Sequence, residues 1–214
     1  MPKNSFSHVN TWVFDLDNTL YPPAARLFDQ IEVRMTRYVM QALGVDQARA
    51  NYLRKHYWHE YGTTLAGLMR EHGVDPAPYL VDVHDISLDH LVADPTLATH
   101  IRALPGRSIV YTNGSAPYAE RVIEARGLSG IFDAVYGVEH AGFRPKPEAE
   151  AFEMVFSKDG LDPERAAMFE DDARNLRAPH LMGMRTIHVA PTAINEDHIH
   201  HHTEDLGAFL ARLY

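Results

Sequence analysis

The chain is 214 residues long, the size of one domain, and 45% of it is apolar, enough to bury a substantial core. Its 20 Lys and Arg against 29 Asp and Glu leave a net charge of −9 with His neutral, a poor balance for holding nucleic-acid phosphates. There is no Cys, which excludes disulfides, thiolate metal sites and Cys nucleophiles. No stretch approaches the ~20 apolar residues of a membrane span. A cytoplasmic protein with neither a nucleic-acid polymer nor a membrane as partner is the expectation.

A first strand is predicted at 11–14, an apolar β-prone run that ends abruptly in Asp15-Leu16-Asp17-Asn18-Thr19. Leu27, Ile31, Met35, Tyr38 and Ala42 then recur at helical spacing, with Gly44 as a stop. Further helices are predicted at 46–61, 64–72 and 95–103. Between Asn18 and about Pro95 there is almost no strand signal. After Leu104 the alternation of strand and helix returns, with strands at 109–111, 132–138, 167–169 and 186–189 and helices at 117–126 and 148–158. A last helix is predicted at 203–213, N-capped by Thr203, with Leu206, Phe209, Leu210 and Leu213 covering one side of the sheet.

The economical account is an α/β core made of residues 1–20 and 96–214, interrupted after its first strand by an all-helical insertion at 21–95. Pro22-Pro23 and Asp94-Pro95 mark the two connections, because a residue before Pro avoids the α region. His198, His200, His201 and His202 invite a metal reading, but their spacing matches no zinc pattern, and an exposed polar turn before the last helix is preferred.

Four segments carry side chains suited to chemistry. Asp15 and Asp17 are two apart at a strand end, so both carboxylates can face one pocket while Leu16 turns to packing; a metal-binding or merely decorative pair stays open. Asn18 and Thr19 follow as polar groups in the turn, suited to an anion. In Thr112-Asn113-Gly114-Ser115 a hydroxyl and backbone N–H groups can hold phosphate oxygens, with Gly114 allowing close approach; a capped turn is the bland alternative. Arg144-Pro145-Lys146-Pro147 restrains a cation between prolines, and Glu170-Asp171-Asp172 sets three carboxylates side by side, which repel unless a cation or hydrogen bonds offset them.

Taken in order, these segments resemble the haloacid dehalogenase-like hydrolase superfamily over nearly the whole chain: Asp15-Leu16-Asp17-Asn18-Thr19-Leu20, then Thr112-Asn113, then Lys146, then Glu170-Asp171. The resemblance implies a Rossmann-like core with a helical cap inserted after strand one. The superfamily's phosphatases and phosphomutases carry the second Asp, here Asp17, which its dehalogenases lack. The strings Phe14-Asp15-Leu16-Asp17-Asn18-Thr19-Leu20-Tyr21-Pro22 and Phe169-Glu170-Asp171-Asp172-Ala173-Arg174-Asn175-Leu176 look most like the pyrimidine 5′-nucleotidase branch.

That likeness implies a Mg²⁺-dependent hydrolase of UMP, CMP or a related nucleoside monophosphate. Asp15 is then the nucleophile, Asp17 the general acid and base, and Lys146 the catalytic cation. Mg²⁺ is expected on Asp15, Asp17, Asp171 and Asp172, with Glu170 ranked behind the last two. Asn18, Thr19, Thr112, Asn113, Gly114 and Arg144 are expected around the phosphate or ribose, and Tyr21, Arg26, Tyr57, His59, Tyr61 and Met69 are candidates for the cap pocket. A phosphatase for sugar phosphates or other small metabolites, a phosphomutase and a non-enzymatic phosphate-binding protein are the competing readings.

Overall fold

The computed structural model describes residues 5–213. Six strands form one parallel sheet: β1 (Thr11–Phe14), β2 (Arg107–Tyr111), β3 (Ala134–Tyr136), β4 (Ala166–Glu170), β5 (Arg185–Val189) and β6 (His201–Thr203), in spatial order β3-β2-β1-β4-β5-β6. The sheet is thus built outward from β1 in both directions, which leaves a crevice at the carboxyl ends of the central strands. Register sets Phe14 level with Val110 on one side and Phe169 on the other. The chain therefore leaves β1 at Asp15 directly beside the turns that follow β2 and β4.

Alternation along β1 fixes the two faces of the core. Trp12 and Phe14 enter one apolar cluster and Val13 the other. Phe14 stacks on Phe169 with ring centroids 4.8 Å apart and planes 6° apart, while Val13 packs with Ile109, Tyr111, Met168 and Phe152. The first cluster also takes in Leu206, Phe209, Leu210 and Leu213, so the C-terminal segment does cover a face of the sheet.

Between β1 and β2 the regular structure is all helical: α1 (Leu27–Leu43), α2 (Gln47–Tyr61), α3 (Thr64–His72), α4 (Pro76–Val83) and α5 (Pro95–Arg102), besides a 3-10 turn at Pro23–Ala25. Gly44 closes α1 in the left-handed region at φ 63°, and Asp46, Thr63, Asp75 and Asp94 each accept a backbone N–H to open the next helix. Helices α1 to α4 pack on one another as a unit, whereas α5 packs on the C-terminal helix. After β2 come α6 (Ala116–Ala125), α7 (Ala149–Asp159), α8 (Arg177–Leu181) and α9 (Leu206–Leu210).

The end of the chain departs from expectation. Thr203 does not cap a helix; it ends β6, which pairs with β5, and Asp205 caps α9 by accepting from Ala208 N–H. The histidines are correspondingly only in part an exposed turn. His198 is buried and His201 and His202 are half-buried, while His200 is exposed; imidazole bonds run to Thr186 from His200 and to Ala190 from His202. Helix α4 and the short α8 also lie outside the predicted elements.

Helices α2 and α3 cross at Gly67. A Cβ there would sit 2.2 Å from Cγ of Tyr57, a ring carbon that cannot swing away. Gly67→Ala gains about 1 kcal/mol in helix propensity but overpacks at about 1–3 kcal/mol. Thermal denaturation is expected to give a lower midpoint for Gly67→Ala, and a midpoint equal to or above wild type would contradict this crossing.

Candidate functional site

Asp15 is the first residue past β1, and its N–H donates to the Phe169 carbonyl, which ties the turn after β1 to β4. Its carboxylate is buried. Oδ1 accepts from Lys146 Nζ at 2.7 Å, while Oδ2 is buried with no partner. Lys146 spends its three N–H bonds on Asp15, on Glu170 Oε2 at 2.6 Å and on the Tyr111 carbonyl at 3.1 Å. Burial opposes a charged ammonium, but the Asp15 and Glu170 carboxylates outweigh it and hold Lys146 well above its ordinary pKa.

The Lys146 loop is fixed from β2. The Asn113 amide accepts from Lys146 N–H at 2.8 Å and donates to Lys146 C=O at 3.0 Å, so this side chain clamps the peptide backbone on both sides of the lysine. Thr112 is buried, and its Oγ1 accepts from Gly114 N–H at 2.9 Å, which closes the turn after β2.

Asp17 sits under two phenols. Tyr21 and Tyr118 hydroxyls both donate to its Oδ1, at 2.6 and 2.8 Å, so Oδ2 lies outside both bonds. Burial first, and then the Asp15 charge, push the Asp17 carboxyl up to about 6, against the pull of those hydrogen bonds. Asn18 follows in the left-handed region at φ 61° and donates from Nδ2 to Asp171 Oδ2 at 3.2 Å. Asp171 is pushed well above the ordinary carboxylate range, by burial and then by the charges of Glu170 and Asp15.

Asp15, Glu170 and Asp171 each offer a carboxylate oxygen, all within 4.8 Å of one another. Such a buried concentration of negative charge, with Asp15 Oδ2 unpartnered, fits a hard divalent cation that binds through oxygen. Glu170 has less to offer than its neighbours, because Oε2 is held by Lys146 and Oε1 accepts from Asp172 N–H.

Several expected site residues are placed elsewhere. The Asp172 carboxylate is not in the acidic group; it faces the Arg174 guanidinium at 2.6 Å and opens the 3-10 turn Ala173–Leu176 by accepting from Arg174 N–H. Arg144 is an exposed residue paired with Glu150 at 2.5 Å, outside the cavity. Thr19 is buried but does not line the cavity. Gly114 lines it, with its N–H already taken by Thr112.

The cavity over these groups has a volume of about 450 Å³ and runs from Asp15, Asp17 and Lys146 up into the helices. Its upper wall mixes apolar side chains, Phe28, Ile31, Met35, Trp58, Leu80 and Val83, with the charged or polar Glu32, Arg54, Lys55, Thr63 and Thr64. None of the six cap candidates from the sequence lines it. Tyr21 instead bonds Asp17; Tyr57 packs on Gly67 and bonds His72; Tyr61 bonds Glu71; Met69 packs on the core; Arg26 and His59 pair with Asp29 and Glu60 at the surface. Tyr and Met at helical spacing thus build the interior of the insertion, whereas Phe28 and Trp58, half-exposed, face the cavity mouth. Trp58 carries the Arg174 guanidinium 3.7 Å from its ring centroid, so the loop bearing Asp171 also touches α2.

A family model of haloacid dehalogenase-like hydrolases matches residues 9–183. The chain is 27% identical over 187 residues to Phosphate metabolism protein 8 of Saccharomyces cerevisiae, a match that covers 80% of this chain but only 58% of the yeast protein. Among solved structures, the HAD-hydrolase YfnB of Bacillus subtilis, bound to magnesium, superposes with a TM-score of 0.62 at 16% identity, over 96% of this chain and 98% of that one. A 2-haloacid dehalogenase of Pseudomonas syringae superposes with a TM-score of 0.61 at 20% identity, over 96% of this chain and all 100% of that one. At such identities the two structures share the fold, and the fold alone does not choose a reaction.

His84 lines the cavity, stacked on Tyr118 at 4.3 Å with Nδ1 3.1 Å from Ser115 Oγ. Burial, aided by Arg121, lowers it from 6.5 to about 4. Between those pH values only the unfolded chain binds the proton, so the His84 contribution falls as pH drops from about 7 to 4, by about 3 kcal/mol in all. In urea titrations, His84→Gln is expected to lose less stability than wild type between pH 7 and pH 4.5; parallel losses would contradict a neutral, buried His84.

Proposed function

The chain belongs to the haloacid dehalogenase-like hydrolase family, and from that premise we propose that it is a Mg²⁺-dependent phosphomonoesterase acting through an aspartyl-phosphate, with pyrimidine nucleoside 5′-monophosphates such as UMP and CMP as substrates. The observation that carries the reading is the convergence of Asp15, Asp17, Lys146 and Asp171 at one end of the cavity, with Asp15 Oδ2 left unpartnered. Asp17, two residues after Asp15, is the residue that favours phosphoryl transfer over dehalogenation.

In this reading Asp15 attacks phosphorus, forming an acyl phosphate as the bond to the ester oxygen breaks. Lys146 holds Asp15 in place and favours its ionised form, against burial and the Glu170 charge, which raise the carboxyl above its ordinary range. The Asp17 carboxyl gives its proton to the departing oxygen and then, as carboxylate, takes one from the water that cleaves the acyl phosphate, which restores Asp15 and releases phosphate. Tyr21 and Tyr118 fix Asp17 by one oxygen and leave the other for proton transfer. Thr112, Asn18 and the turn after β2 lie against the phosphoryl group. Asp15, Asp171 and the Asp17 carbonyl would hold Mg²⁺, which would supply the positive charge that lets a phosphate dianion enter among carboxylates.

The insertion at 21–95 acts as the cap that excludes water and selects the leaving group. The aromatic rings of Phe28 and Trp58 on the upper wall support a planar base in the leaving group. The name of the yeast relative, a phosphate metabolism protein, accords with a phosphate ester as substrate.

Initial rates on a matched panel of phosphomonoesters test the substrate. Efficient release of phosphate from UMP and CMP is expected, and poor turnover of these beside efficient turnover of sugar phosphates would overturn the assignment. Asp15→Asn should lower kcat by on the order of 10⁴-fold or more with the fold retained, and Asp17→Asn should slow esters with poor leaving groups most. Near-normal turnover by Asp15→Asn would require another nucleophile. Base stacking on an aromatic ring is worth about 1–3 kcal/mol, so Trp58→Ala should raise KM for UMP by roughly 5–150-fold and leave an ester with a short aliphatic leaving group almost unchanged. Equal effects on both esters would contradict stacking.

A further inference from the structure

We propose that His188 and His198 are positioning residues for the acidic turn after β4, holding Asp171 in place by hydrogen bonds to the backbone of that turn; this rests on the reading of Asp171 as a cation ligand. His188 lies in β5, level with Glu170 of β4, and its Nε2 is 2.9 Å from the Asp171 carbonyl oxygen. His198, just ahead of β6, sets its Nε2 2.9 Å from the Ala173 carbonyl oxygen. Carbonyl oxygens only accept, so both histidines carry their proton on Nε2. The turn is therefore held from beneath at two carbonyls two residues apart, while Asn18 and Lys146 hold Asp171 and Glu170 by their carboxylates from above.

His188 is 2% exposed, and its Nδ1 is buried with no partner. An orphaned buried nitrogen is unfavourable, and an apolar side chain like those of its neighbours Ile187 and Val189 would avoid it. What the imidazole offers in return is its bond to the Asp171 peptide. This also gives His198 a role without a second metal: among the described residues the ligand-like cluster is Asp15, Glu170 and Asp171, and no histidine belongs to it. His202 makes the same kind of bond at 2.7 Å, but to Ala190, away from the acidic turn.

That difference supplies the test. Mg²⁺ dissociation constants are measured by calorimetric titration of the full chain without substrate, together with thermal midpoints, for His188→Leu, His188→Gln, His198→Leu and His202→Leu. Loss of such a supporting bond characteristically weakens metal affinity by tenfold or more. His188→Leu is expected to raise the Mg²⁺ constant about tenfold and His198→Leu by less. His188→Gln, whose amide retains an N–H donor, should recover most of the affinity, and His202→Leu should lower the midpoint with Mg²⁺ binding unchanged.

If His188→Leu binds Mg²⁺ as wild type does and loses only thermal stability, the role is structural and the proposal fails. It fails equally if His202→Leu weakens binding as much, or if His188→Gln is no better than His188→Leu. Should His188→Leu not fold, His188→Met takes its place as the variant without a donor: weaker binding than in His188→Gln supports the proposal, and equal binding overturns it. An Asp171→Asn variant that binds Mg²⁺ like wild type would instead overturn the underlying assignment of Asp171.

Discussion

The site is organised around one buried ammonium. Lys146 joins the Asp15 carboxylate at the end of β1 to the Glu170 carboxylate at the end of β4 and reaches the Tyr111 carbonyl at the end of β2. Without it two carboxylates would face each other in a medium that solvates neither, and breaking such a buried arrangement by removing one partner costs about 3–5 kcal/mol. The sheet order makes the junction possible, because β1 lies between β2 and β4 and all three point the same way. Asn113 then holds the lysine's backbone, so the cation's position depends on β2 as well as on its own loop.

The same acidic turn that completes this junction also communicates with the helices above. Asp172 orients Arg174, and Arg174 lies against Trp58 of α2. On the other side of the cavity, Gly62 at the end of α2 approaches the Lys146 carbonyl and Pro147 so closely that a Cβ would come within 3.1 Å of each. Helix α2 therefore rests on two of the loops that carry the charged groups, and the aromatic mouth of the cavity is set by the same contacts that set its polar floor.

The central part of this arrangement is legible in the sequence because it is local. An apolar strand ending in Asp15-Leu16-Asp17 states both the strand and the side on which its carboxylates emerge, and Gly44 announces the end of α1 by the conformation it adopts. Three adjacent acids give no such direction. Only the fold shows that Glu170 turns to Lys146, Asp171 to the cluster and Asp172 to Arg174. Tyr118 reaches Asp17 across 101 residues of sequence, a contact no spacing rule encodes. Strand β6 is three residues of His-His-Thr at a sheet edge, without the apolar alternation that marks a strand, and its formation follows from pairing with β5. The cap candidates mislead for a related reason: aromatic residues at helical spacing mark what a helix buries, and the cavity is lined by the aromatic residues that helix packing leaves over.

The central claim is that Asp15 itself becomes phosphorylated during turnover. Acid quenching in the steady state, borohydride reduction of the acyl phosphate and mass analysis of the peptide containing residues 11–21 put it to the proof most directly. The account predicts conversion of Asp15 to homoserine, dependent on substrate and absent in unreacted protein. Reduction at any other residue, or phosphate release at full rate with Asp15 never modified, would contradict it.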